Sequence, residues 1–87
     1  MPSGRIVGLL DQGKTWQLLY EKDGDGSLGI VEFDQRPLAR LYRSATKRDF
    51  SRDYASRGSD YISQKLEHLR ISVEGERPTQ VVRVEED

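Results

Sequence analysis

Arg36, Arg40, Arg43 and Lys47 recur at i, i+4, i+7 and i+11. At 3.6 residues per turn these positions share one helix face, within an arc of about 60°. No acid stands in that stripe to pair with them, and like charges three or four residues apart repel. Such a stripe offers a site for phosphates or for an acidic partner. A solvated helix face carries the same pattern, so the stripe alone does not choose between them.

A second cluster precedes it. In EKDGDGSLGIVE (21–32), Glu21, Asp23, Asp25, Gly26 and Glu32 fall on positions 1, 3, 5, 6 and 12 of a calcium-binding loop. Hard oxygen ligands at those offsets, with glycine at the sharp turn, are what calcium requires. Against it, position 1 is Glu rather than Asp, and Pro37 falls inside what would be the exiting helix. Gly8 and Gly13 also weaken any entering helix. Gly24, Gly26, Gly29 and Val31 further spell a G-x-G-x-x-G-x-V phosphate-loop pattern. A dinucleotide loop must open a helix after its last glycine, whereas Gly29 leads into a strand-like run. Two Asp-Gly pairs between apolar runs need only a hairpin turn, and that is the expected role.

Catalytic groups are scarce. His68 is the only histidine and there is no cysteine, which excludes a histidine-rich or thiolate metal site and any disulfide. His68 is expected on the surface. Asp23 and Asp25 sit in a turn with no evident pocket, so acid–base chemistry is not indicated. No cofactor is implied.

The elements that position these groups follow from periodicity. GRIVGLLD (4–11), KTWQLLYE (14–21) and LGIVEFD (28–34) read as strands, with Trp16, Leu18 and Tyr20 on one face of the second. Leu38, Leu41, Tyr42 and Ala45 then change the period to that of an amphipathic helix. Pro37 suits its first turn, with Asp34 or Arg36 as cap. That helix ends near Arg48 or runs on toward Arg57, where Gly58 supplies a stop. Ser59 is the expected N-cap of a second helical stretch, 59–69, with Ile62, Leu66 and Leu69 buried. Residues 69–75 and 81–85 form a second hairpin around a turn at 75–80, and the acidic last residues fray. Residues 47–61 are rich in Arg, Ser, Asp and Tyr, a bias shared with flexible RNA-binding tails, but they lie between ordered-looking segments.

With 87 residues, 34% apolar and 33% charged, the expected architecture is a single α+β domain spanning residues 1–87. The strand–strand–strand–helix–strand–strand order suggests a small OB-like five-stranded barrel with an enlarged helical segment between strands 3 and 4. A meander with helices packed on one face is the competing arrangement. No apolar run approaches a membrane span and no secretory signal is visible, so an intracellular, cytoplasmic location is the default expectation. Net charge is −1, but residues 36–57 hold seven Lys and Arg against Asp49 and Asp53, between acidic flanks.

The first 38 residues resemble a cold-shock domain. Gly4-Arg5-Ile6-Val7 and Leu9-Leu10-Asp11 echo its first strand, and Lys14 and Trp16 match its second-strand motif, although both of that motif's glycines are missing. Phe33 matches the third-strand aromatic, while Glu32 stands where the family has histidine. The resemblance implies an OB fold and single-stranded nucleic-acid binding by Lys14, Trp16 and Phe33.

The residues thus point to a non-enzymatic binding module for single-stranded nucleic acid. Lys14, Trp16 and Tyr20 would steer and stack, and Arg36, Arg40, Arg43 and Lys47 would contact phosphate; for Trp16 and Phe33 the competing role is burial in the core, where the Trp and Phe of so small a domain usually lie. Tyr42, Phe50, Tyr54 and Tyr61, interleaved with bases, suit the same role. The alternative is a protein adaptor whose basic helix docks an acidic partner. A calcium-binding module through Glu21, Asp23, Asp25 and Glu32 ranks third.

Overall fold

The computed structural model describes residues 2–76 and 79–85. Strand β1 (Ser3–Asp11) is the spine of the sheet, pairing antiparallel with β2 (Thr15–Lys22) along its length and with β4 (Arg70–Glu74) at its start. Ile6 and Leu9 both point into the core, which strict alternation would forbid. A bulge resolves this: the register with β2 shifts between Ile6 and Gly8, and the odd residue, Val7, is exposed.

Strand β3 (Leu28–Asp34) pairs with β2, and β5 (Val81–Val84) with β4, giving the order β3-β2-β1-β4-β5. The result is an α+β domain with a five-stranded antiparallel sheet. The sheet is open: β3 and β5 are its edges, and the barrel closure expected from the strand count is not formed among the described residues.

Three helices cover one face. Helix α1 (Gln35–Thr46) buries Leu38, Leu41 and Tyr42, the expected stripe. Lys47 ends it in the left-handed region (φ 62°), its N–H donating to the Arg43 carbonyl. Of the two endings open from sequence, the chain takes the earlier one, and Asp49 restarts a helix: its carboxylate accepts from the Arg52 N–H at 2.8 Å, capping α2 (Phe50–Arg57). The Arg/Ser/Asp/Tyr-rich segment is therefore largely helical. Gly58 stops α2 at φ 83° and leads into α3 (Ser59–Leu66). Ser59 is the first helical residue, not the N-cap expected, and no side chain caps α3. The second helical stretch is also shorter than 59–69, ending at Leu66.

Ile6, Trp16, Leu18, Tyr20, Val31, Ile71 and Val73 from the sheet meet Leu38, Tyr42, Phe50, Ile62 and Leu66 from the helices in one core. Trp16 holds the helices to the sheet, its ring edge-on to Phe50 at 5.8 Å and to Tyr54 at 5.5 Å between centroids. The turn expected at 75–80 and the acidic last residues lie partly outside the described residues.

Candidate anion-docking face

The loop from 21 to 32 is the β2–β3 hairpin. Gly24 and Gly26 adopt φ 92° and 70°, as the turn demands. Gly29 is needed for another reason: a Cβ there would lie 2.4 Å from Cζ of Tyr20, whose ring covers it. The glycine pattern thus arises from a turn and an aromatic cover. The candidate calcium ligands have other partners. Asp25 accepts from the Ser27 N–H (2.9 Å) and hydroxyl (2.8 Å), and both bonds hold its carboxyl below the usual range. Asp23 receives the Arg70 guanidinium, which lowers its pKa and ties the hairpin to β4. Glu21 lies on β2 and Glu32 on β3, where it accepts from the Gln17 side chain at 3.3 Å. Strands, not helices, flank the loop, and no group of three metal-ligating side chains occurs among the described residues.

Of the two roles open to Trp16, core and stacking platform, the chain uses the core, and Tyr20 joins it there. Trp16 is 1% exposed and Tyr20 3%, so neither offers a ring face to a base. Phe33 is half-buried against the core. Tyr42, on the expected buried stripe of α1, and Phe50 are both buried, so neither serves the nucleic-acid role also open to them. The Tyr42 hydroxyl donates to Asp53 at 2.6 Å, and Arg48 clasps the same carboxylate through Nε (2.7 Å) and a terminal nitrogen (3.1 Å). This pulls Asp53 down to about 2, the Arg48 bonds being the larger cause, while burial and Asp53 push the Tyr42 phenol up. Tyr54 donates to Asp11 at 2.5 Å, lowering that acid's pKa and fastening α2 to the end of β1. Tyr61 lies near three cations, Arg57 at 5.1 Å, Lys65 at 5.3 Å and Arg48 at 5.9 Å from its centroid. The sequence already set Tyr61 among basic residues; Arg57 and Lys65 lie four positions to either side of it, and only Arg48 is brought in from farther along the chain.

The basic stripe survives. Arg36, Arg40 and Arg43 are exposed on α1, and no carboxylate among the described residues pairs with them. Lys47 is exposed just past the helix, its ammonium donating to the Ser44 carbonyl at 3.2 Å. Lys14 is exposed beside Thr15, and Thr15 pairs with Asp34, which precedes α1. Register therefore brings Lys14 to the N-terminal end of the stripe. The face is not flat. A cleft of about 220 Å³ between α1 and α2 is lined by Arg36, Arg40, Arg43, Asp49 and Phe50. On the other side of Arg40, a groove of about 570 Å³ runs between α1 and β5, with Phe33 at its β3 side. The sequence signalled the arginines through their spacing; the two concavities flanking Arg40 had no local signal.

Among the described residues no helix is long and apolar enough to cross a membrane. His68 is exposed, as expected, though it sits after α3 at φ 70° rather than within the helix. Comparison with protein-family models, curated proteins and solved structures finds no match to this chain.

Proposed function

We propose that this chain is a non-enzymatic adaptor that docks an acidic protein segment on the basic face of α1. The observation that carries this reading is the set of exposed guanidiniums, Arg36, Arg40 and Arg43, held on one rigid helix without carboxylate partners among the described residues. Arg48 is matched to Asp53, Arg70 to Asp23 and Glu85, and Arg83 to Glu74, while Arg5, Arg52 and Arg57 form no ion pair among the described residues; what distinguishes Arg36, Arg40 and Arg43 is that all three lie on one helix face. Planar guanidiniums bind carboxylates and phosphates alike through paired donors, so acidic side chains fit as the missing partners. Net charge −1, with acidic flanks, favours a short acidic segment meeting a local patch over a long polyanion drawn by the field of the whole domain.

Single-stranded nucleic acid remains the second reading, because the same cations suit phosphates. It includes the OB-like identity: five strands, helices between β3 and β4, and two edge strands, β3 and β5, that a barrel would join. The burial of Trp16 and Tyr20 removes the stacking surface that this reading drew from the sequence.

A ¹⁵N titration separates the two. A synthetic peptide alternating Glu and Asp with Val is expected to shift amides of residues 36–47, with loss of the shifts in the triple variant Arg36→Gln, Arg40→Gln, Arg43→Gln. Oligodeoxythymidylate is expected not to compete. If instead the oligonucleotide binds, with a log–log salt slope near −2 or steeper, and the peptide does not, the nucleic-acid reading replaces the adaptor.

A further inference from the structure

The groove beside Arg40 borders an unfinished sheet. In β5, the Glu85 N–H donates to the Arg70 carbonyl at 2.9 Å, and the register pairs Arg83 with Ser72 and Val81 with Glu74. Hydrogen-bonding direction alternates along an antiparallel strand, so Val81, Arg83 and Glu85 turn their backbone groups toward β4. Val82 and Val84 then turn theirs to the open edge. Their side chains pack only partly on the core, and both line the groove. Gln80 places a buried side-chain oxygen at the same groove with no hydrogen-bond partner among the described residues. The opposite wall is Pro37, Leu41 and Arg40 of α1.

We infer that this groove takes an extended acidic–apolar segment of a partner protein as a sixth strand on β5. The inference rests on the adaptor reading and names where that partner binds. An added strand would accept from and donate to Val82 and Val84, and alternate side chains would fill the groove against Leu41 and Phe33. Charge sets the occupant: Arg40 stands at the lip of the groove, continuous with Arg36 and Arg43, so carboxylates flanking the apolar positions complete the match.

The test uses the full 87-residue chain and a phage-displayed library of random dodecapeptides. Enriched peptides are expected to alternate apolar residues and to carry Asp or Glu. Hydrogen exchange with a synthetic enriched peptide is expected to protect the Val82 and Val84 amides. Val82→Pro deletes one outward donor at an edge position where proline is tolerated, and is expected to weaken binding by about tenfold. Acidic peptides that shift only residues 36–47, leave Val82 and Val84 unprotected and ignore Val82→Pro would overturn strand addition and leave the adaptor reading standing. Enriched peptides without acids, indifferent to Arg40→Gln, would overturn the adaptor reading and the acidic partner with it.

Discussion

Helix α1 presents two faces in opposite conditions. Its inner face is saturated: Leu38 and Tyr42 are fully buried, and the Tyr42 hydroxyl ends on an Asp53 that Arg48 also holds. Its outer face carries Arg36, Arg40 and Arg43 with no carboxylate among the described residues. The same residue type thus plays opposed parts a few residues apart. Arg48 has its charge matched and anchors α2 to α1. Arg40 has its charge unmatched and stands between two concavities. A fold does not require the second arrangement, because neighbouring cations on one helix face work against stability.

The contrast breaks most visibly at Trp16. Trp16→Ala should cost about 3–5 kcal/mol, since the ring joins the sheet to α2 through Phe50 and Tyr54. In so small a domain, that approaches the whole stability, and urea denaturation should show a collapsed midpoint. Were Trp16 instead a surface platform for bases, the midpoint would hardly move. Tyr42→Phe should cost about 1–2 kcal/mol by the same measurement, because it removes the neutral donor while Arg48 keeps Asp53 paired.

The saturated face also predicts a pH response. Asp53 is held at about 2, below its usual 3.8, so its contribution is complete above pH ~4 and lost as pH falls toward ~2. Asp11, Asp23 and Asp25 are depressed in the same direction. The urea midpoint should be level near neutrality and fall across that window. Asp53→Asn should lower the plateau and flatten the fall, and an unchanged profile would count against the Tyr42–Asp53–Arg48 anchor.

On the open face the sign reverses. Replacing Arg36, Arg40 and Arg43 together with Gln should leave stability unchanged or raise it by a few tenths of a kcal/mol, as repulsion along α1 is relieved. A loss of 1 kcal/mol or more would show that these arginines serve the fold. The smallest effect is expected at the hairpin: amides of residues 21–32 should not move in millimolar calcium, since Asp23 and Asp25 already have partners. Shifts confined to that loop would reopen the calcium reading.

Much of the fold was legible because local periodicity carries it. The alternation of Trp16, Leu18 and Tyr20, and the 3.6-residue spacing of Leu38, Leu41 and Tyr42, mark the buried faces that the structure shows. The break at Lys47–Asp49 was half legible: the stripe stops near Arg48, but Asp49 reveals itself as a cap only once Arg52 returns to it. Phe50 and Tyr54 misled because their neighbours in sequence are charged, while their partners on the sheet lie far along the chain. Tyr54, for instance, reaches Asp11.

What the sequence determined by itself was therefore local: strand and helix periods, the Asp-Gly turn, and an acid-free basic stripe on α1. Tertiary structure alone decided the rest. It set Phe50 and Tyr54 against Trp16, gave Arg48 an acid and, among the described residues, withheld one from Arg40 and left β3 and β5 unpaired with each other, with a groove beside α1. Those outcomes depend on which distant surfaces pack together, and no window of neighbouring residues carries that information.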